Sequence, residues 1–88
     1  MATESTNEIS IAINNRFFEA VDMLRSQGEI RGLGQLAREW NMSRFALTWS
    51  KNHPEKLRIK TDHIYLLAKE YRISLDWIFF GTGPMFRK

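Results

Sequence analysis

Basic side chains are concentrated in the middle third of this 88-residue chain. Residues 31–60 contain seven Lys or Arg side chains and two acidic ones, a net charge of +5, whereas residues 1–30 sum to −3 and the whole chain to +3. A block of positive charge attracts phosphate backbones or an acidic partner. A solvated face that happens to be basic would give the same count, so charge alone leaves both interpretations open.

The residues typical of catalytic and metal sites do not assemble into a pattern. The chain has no cysteine, so neither a disulfide nor a thiolate metal site can form. His53 and His63 are ten residues apart with no third ligand at a suitable spacing. No Ser or Asp pairs with a base as a nucleophile would need, and "GTG" at 81–83 is too short for a phosphate loop. We therefore expect no enzyme activity, no cofactor, no metal and no small-molecule ligand.

Length and composition suit one small domain. The chain is 43% hydrophobic and 26% charged, and a domain of this size buries roughly 60% of its unfolded surface. No apolar run approaches the roughly 20 residues that span a bilayer. The start "MATESTNE" lacks the basic and apolar segments of a signal peptide. We expect a cytoplasmic location and no membrane partner.

Apolar periodicity predicts five short helices. The first has an apolar face from Ile13 to Leu24, and Gly28 can close it in the left-handed conformation. We expect it to begin at about Ile11, so that residues 1–10 form a flexible N-terminal arm and residues 11–88 one helical domain. The stretch "ISIAI" alternates with period two, so Ile9–Ile13 could instead form a short strand or arm. The second helix begins without a side-chain cap near Gly34 and runs for about two turns to Trp40.

The remaining helices carry clearer end signals. Thr61 can cap a fourth helix, with Asp62 in its first turn. Ser74 can cap a short fifth helix that ends at Gly81. Trp40 and Trp77 are expected in the core. The fold class is therefore a compact all-α bundle of five helices.

The chain breaks between its second and third helices at "AREWNMSRFALTWS". Asn41 tolerates positive φ, so it can turn the chain at one position, and Ser43 then caps a helix from Arg44 to about Asn52. Two helices joined in this way cross steeply. The N-terminal half of the third helix is therefore expected to project from the bundle.

Two stretches resemble a known family. "LGQLAREWNMSRFALTWSKN" resembles the helix-turn-helix of the lambda-repressor and Cro type, also called the xenobiotic-response-element family. Ala37 and Asn41 match the family's small contact residue and turn residue, and Leu47 matches its buried aliphatic. "YRISLDWIFFGTGPMF" resembles the family's usual ending. Together the matches cover about residues 14–86.

The resemblance implies a lambda-repressor-like fold whose helices 2 and 3 form the helix-turn-helix, so that residues 11–88 are a DNA-binding domain. It implies binding to double-stranded DNA, with helix 3 in the major groove and a homodimer on a two-fold-related operator. The chain would be a bacterial or phage-encoded transcriptional regulator. A repressor is favoured over an activator because no activating surface or effector domain is visible.

Individual residues then acquire expected roles. Arg44 can bond guanine in a bidentate manner, and Phe45 can meet a thymine methyl. The complete set of expected base-reading residues is Ser43, Arg44, Phe45, Thr48 and Trp49. The expected phosphate contacts, which position the protein without specifying sequence, are Gln35, Lys51, Lys56, Arg58 and Lys60.

The sequence departs from the family pattern in helix 3. Asn41 replaces the usual turn glycine, Trp49 stands where a polar DNA-facing residue is expected, and Ser50 where a buried apolar one is expected. Either Trp49 lies against DNA, or helix 3 is rotated to bury Met42, Phe45, Ala46 and Trp49. Trp49 also supports an alternative function, a protein-binding module such as an antitoxin or antirepressor that keeps the fold without contacting DNA.

The C-terminal stretch "WIFFGTGPMF" holds more large apolar side chains than one short helix can bury. Phe79 or Phe80 must then point outward, which favours a dimer contact. The expected interface consists of Phe79, Phe80, Met85 and Phe86. Two alternatives stay open: Met85 and Phe86 fold back to close the monomer core, or the "ISIAI" segment exchanges between subunits.

Overall fold

Five helices make up most of the computed structural model, which describes residues 6–87. In chain order they are α1 (Thr6–Ser26), α2 (Leu33–Glu39), α3 (Arg44–Asn52), α4 (Thr61–Tyr71) and α5 (Leu75–Phe80). Within the described residues, β pairing is limited to one isolated antiparallel bridge between Ile73 and Phe86. The radius of gyration is 12.8 Å, close to the value of about 12 Å expected for a compact domain of this length. The all-α prediction is confirmed.

α1 begins earlier than its sequence suggested. It starts at Thr6 rather than near Ile11, so residues 6–10 of the predicted arm are helical, and Ile9–Ile13 forms neither a strand nor an arm. The period-two pattern was misleading because the segment is helical: Ile9 and Ile13 lie one turn apart on the same side of α1. Ile13 packs against the core there, and Ile9 is 40% exposed. Residues 1–5 of the predicted arm lie outside the described residues. α1 ends as predicted, with Gly28 left-handed at φ 79°.

The connection between α2 and α3 follows the predicted local chemistry. α2 begins after Gly32 without a side-chain cap. Asn41 adopts a left-handed φ of 53°. The hydroxyl of Ser43 then accepts a hydrogen bond from the Ala46 amide at 3.1 Å and caps α3. α2 packs mainly against α3. The turn at Asn41 and the cap at Ser43 therefore set the orientation of α3 relative to α2.

Of the predicted ends of α4 and α5, the N-terminus of α4 differs from the prediction. Lys60, not Thr61, is the N-cap of α4, and no side chain caps it, because Thr61 is already helical. In its place Asp62 accepts a hydrogen bond from the His63 amide at 3.1 Å. Ser74 caps α5 by accepting from the Trp77 amide at 3.2 Å, and Gly81 ends it at φ 71°, both as predicted.

The core is built from buried apolar side chains of all five helices, together with Ile30 and Ile73 from the connections. Trp40 and Trp77 are half-buried against it, so they are part of the hydrophobic packing as expected. The largest fully buried apolar side chains are Phe17, Leu24, Leu36, Leu47, Leu67, Ile73 and Ile78.

No helix between Thr6 and Arg87 has the length and apolar character needed to cross a bilayer.

Two polar side chains of α1 join distant parts of the chain. Asn14 is 1% exposed and donates to the Ser50 carbonyl at 3.0 Å, while its own oxygen accepts from the Ile59 amide at 2.7 Å. Arg16 donates to the last carbonyls of α5, at 2.6 Å to Ile78 and 2.9 Å to Phe79. Asn14 is buried, so its polar groups must be satisfied. The partly buried Arg16 adds a second link, from α1 to the end of α5.

Candidate functional site

The exposed side of α3 is set by which of its residues face the core. Leu47 and Ser50 are buried, whereas Phe45 is 75% exposed and Trp49 37%. The alternative in which α3 rotates to bury Phe45 and Trp49 is therefore wrong. Asn14 supplies a physical reason, because its hydrogen bond to the Ser50 carbonyl satisfies the buried end of α3 at a position where an apolar residue was expected.

Three aromatic side chains form a row along the exposed side of α3. Phe45 and Trp49 stack with their ring centroids 6.0 Å apart, and Trp49 lies 4.1 Å from the ring of His53. We call Phe45, Trp49 and His53 the aromatic ridge. Leu57, which is 40% exposed, and Ala46 line a shallow apolar depression beside Phe45 and Trp49. The centre of this surface is therefore apolar.

A basic cleft lies on one side of the aromatic ridge, between α1, the start of α2, and α3. It has a volume of about 340 Å³ and includes Thr48. Lys51 is partly neutralised by Asp22, whose carboxylate lies 3.1 Å from its ammonium group. Two of the cations were not predicted as site residues, Arg25 and Arg31. The cationic side chains lining the cleft are Arg25, Arg31, Arg44 and Lys51.

The side chain of Arg44 lies across the first turn of α2. Its Cδ and Nε atoms would be 3.6 Å from a Cβ added to Gly34, so the glycine leaves room for the arginine to pack there. The guanidinium therefore approaches the uncapped N-terminal turn of α2.

Further basic residues lie on the opposite side of the aromatic ridge. Arg58 and Lys60 line a second pocket together with Ser43, Ala46 and Leu57. Arg58 is held in place by hydrogen bonds to the Pro54 carbonyl at 3.0 Å and the Asn7 side chain at 3.3 Å. Lys56 is exposed in the same loop. Basic groups therefore border the apolar ridge on both sides.

Gln35 is engaged differently from its predicted role. Its amide oxygen accepts from the Arg31 backbone N–H at 2.9 Å, and its nitrogen donates to Glu39 at 2.9 Å. Glu39 also accepts from the Tyr71 hydroxyl at 2.8 Å, which links α2 to α4. Burial raises the pKa of Tyr71 to about 12, and the hydrogen bond and charge of Glu39 add to the rise. Gln35 therefore belongs to a structural network, and a phosphate contact by its side chain would require that network to open.

The predicted dimer residues at the C-terminus separate into two groups. Phe80 is 75% exposed, whereas Phe79, Met85 and Phe86 are partly buried against the core. The segment after Gly81 folds back beside Ile73, since the Ser74 amide donates to the Met85 carbonyl at 2.7 Å and the Arg87 amide to the Arg72 carbonyl at 2.8 Å. Phe80 is the one member of the predicted set that is exposed enough to meet another molecule.

The two histidines occupy different environments. His53 belongs to the aromatic ridge, with its Nδ1 3.8 Å from a Glu55 carboxylate oxygen. His63 stacks on Trp40 with centroids 5.7 Å apart. Among residues 6–87 no three His, Asp or Glu side chains are grouped so that they could hold a metal ion.

Comparison with protein-family models, curated proteins and solved structures found no match to this chain.

Proposed function

We propose that this chain is a sequence-specific double-stranded DNA-binding protein that represses transcription by placing α3 in the major groove. The observation that carries the proposal is an exposed helix bordered by cations. The nine residues of α3 include no Asp or Glu, and basic side chains from three other parts of the chain flank it. The left-handed Asn41 and the Ser43 cap between α2 and α3 also agree with the lambda-repressor-type helix-turn-helix that the sequence resembles.

The flanking cations are suited to phosphate contacts on both sides of the groove. Arg25, Arg31 and Lys51 would contact one backbone from the basic cleft, and Arg58 and Lys60 the other. Such contacts provide affinity and fix the orientation of α3 without reading sequence. Arg44 and Thr48 line the basic cleft beside the ridge, and from there their side chains would reach base edges.

We also propose that two copies bind a two-fold-related operator. The exposed Phe80 supplies an apolar surface for the contact. In sedimentation equilibrium, Phe80→Glu should shift the protein to monomer while its helical content stays unchanged. A monomeric wild-type chain at the concentrations that bind DNA would exclude this dimer.

The proposal is tested by measuring binding to random-sequence duplex DNA over a range of salt concentrations. If three to five phosphates are neutralised per subunit, log K should fall against log[salt] with a slope of about −0.9 per contact. Lys60→Ala should reduce the slope by about one contact. Lys69→Ala is the charge-matched control, because Lys69 is exposed on α4 and lines a separate cleft between α4 and α5; it should leave the slope unchanged.

The second candidate is a protein-binding module of the same fold, such as an antitoxin or antirepressor. The exposed stack of Phe45 on Trp49 favours it, because large exposed aromatic side chains are typical of protein interfaces. The two functions separate at low salt, where a DNA-binding chain with these flanks must shift random duplex in an electrophoretic assay. Absence of any shift there would favour the protein-binding function.

A further inference from the structure

The centre of the proposed DNA-reading surface is apolar rather than polar. Phe45 is 75% exposed and stacks on Trp49, and the depression beside them is lined by Ala46 and Leu57. The hydroxyl of Ser43 already serves as the acceptor of the α3 cap. Polar groups suited to read bases, those of Arg44 and Thr48, line the basic cleft instead. The mostly exposed ring of Phe45 therefore offers no hydrogen bond to a base.

The chemistry of the major groove restricts what such a surface can contact favourably. Nearly all atoms displayed there are donors or acceptors, and an aromatic ring laid on them removes their water without replacing its hydrogen bonds. The C5-methyl group of thymine is the exception, since it is an apolar group on the groove edge. A methyl placed against a ring gains burial without leaving a polar atom unpaired.

We propose that Phe45, supported by Trp49, reads the C5-methyl groups of thymines and that these contacts contribute a major part of the sequence specificity. This inference rests on the proposed DNA-binding function. The cations on both sides of the ridge would hold the phosphate backbones and bring the rings against the base edges. The ring centroids of Phe45 and Trp49 are 6.0 Å apart, against a rise of about 3.4 Å per base, so the pair spans methyl groups up to two steps apart.

The three rings of the ridge contact one another along α3. Trp49 lies between Phe45 and His53, at 6.0 Å and 4.1 Å from their ring centroids, so its ring is supported on both sides. A side chain already fixed in its bound orientation loses less conformational freedom on binding. Trp49 therefore acts as a positioning residue for Phe45 as well as a contact surface.

The test begins with operators selected by the wild-type chain from a random duplex pool. Each thymine in a selected site is then replaced by uracil, which removes only the methyl group, or by 5-bromouracil, which restores a substituent of similar size. Uracil should weaken wild-type binding by about fourfold at each contacted position, the equivalent of roughly 0.8 kcal/mol per buried methyl. Bromouracil should return the affinity close to its original value.

The variant Phe45→Ala connects the effect to the ridge. At the positions where wild type is most sensitive to uracil, it should bind thymine and uracil duplexes equally well, and because Phe45 is 75% exposed it should keep the wild-type helical content. Tyr65→Ala is the matched control, since Tyr65 is a 55% exposed aromatic on α4, and it should preserve the wild-type preference for thymine.

The outcomes distinguish this inference from the function beneath it. If no sequence is enriched and no duplex is bound, the proposed DNA-binding function is wrong, and the inference fails with it. If specific sites are bound but uracil replaces thymine without loss, or Phe45→Ala retains the full thymine preference at every position, DNA binding stands and thymine reading by Phe45 is overturned.

Discussion

The aromatic ridge of α3 and the C-terminal segment after α5 are both rich in large apolar side chains, yet they differ in what those side chains contact. Phe45 and Phe80 are each 75% exposed. Beside Phe45, Trp49 is also exposed, whereas beside Phe80 the side chains of Phe79, Met85 and Phe86 pack against the core. Aromatic content alone therefore does not identify an exposed apolar surface. Whether the aromatic side chains are exposed depends on whether the backbone folds back against the core.

The C-terminal segment is drawn into the core by backbone hydrogen bonds. Met85 and Arg87 pair with Ser74 and Arg72, and the Arg87 side chain donates to the Ala68 carbonyl at 2.8 Å. A domain of this size needs the apolar area, because a short chain buries a small fraction of its surface. α3 has no such return segment, and its ridge stays exposed.

The largest expected effect comes from removing the C-terminal segment. A chain that ends at Gly81 should lose at least about 3 kcal/mol of unfolding free energy, because three hydrogen bonds and the packing of Met85 and Phe86 are lost. Urea unfolding followed by circular dichroism measures this. A truncated chain as stable as the full one would show that the segment does not belong to the core, and the contrast between the two regions would disappear.

The next largest effect is expected at Asn14, which holds the buried side of α3 through the Ser50 carbonyl. Asn14→Ala should cost about 2 to 3 kcal/mol, since it leaves the Ser50 carbonyl and the Ile59 amide without partners in a buried place. The adjacent Asn15 is exposed, so Asn15→Ala is the matched control and should change stability by less than about 0.5 kcal/mol. Equal losses in the two variants would mean that Asn14 does not hold the orientation of α3.

A smaller effect is expected at the link between α2 and α4. Tyr71→Phe removes the hydrogen bond to Glu39 and should cost about 1 kcal/mol at neutral pH. The raised pKa of about 12 means that folding favours the protonated phenol, so this contribution is complete below the ordinary tyrosine pKa of 10.0 and is lost as pH rises toward 12. The stability difference between wild type and Tyr71→Phe should therefore shrink over that range. A constant difference would place the phenol outside the network.

The smallest effect on stability is expected at the ridge itself. Phe45→Ala should change the unfolding free energy by less than about 0.5 kcal/mol, because the ring is mostly in solvent. Phe86→Ala, at a partly buried position, should cost about 2 kcal/mol. If the two substitutions cost the same in thermal unfolding, the ridge is a structural element rather than a free surface.

Local features of the fold were accessible from the sequence, and long-range ones were not. The turn at Asn41, the caps at Ser43 and Ser74 and the end at Gly81 depend on neighbouring residues, so residue type predicted them. The predicted cap at Thr61 was wrong because Thr61 is the first helical residue and Lys60 is the N-cap. Helix boundaries are uncertain by a residue or two when they are predicted from sequence.

Neighbours distant in the chain could not be predicted from spacing. Asn14 meets Ser50 across 36 residues, and Arg25 reaches the basic cleft because α1 packs beside α3. The sequence held one indication of the contact between Asn14 and Ser50: an Asn beside the apolar face of α1, because a polar residue at a core position needs a partner. Nothing in the local pattern marked Arg25.

Contact between the α3 surface and DNA can be observed by following backbone amide NMR signals while duplex DNA is added at low salt. We expect the shifted signals to lie in residues 31–35 and 43–60, around the aromatic ridge and its basic borders. Signals of the C-terminal residues 82–87 should stay in place at the same DNA concentrations. Shifts confined to the C-terminal segment, or no shifts at any DNA concentration, would contradict the account.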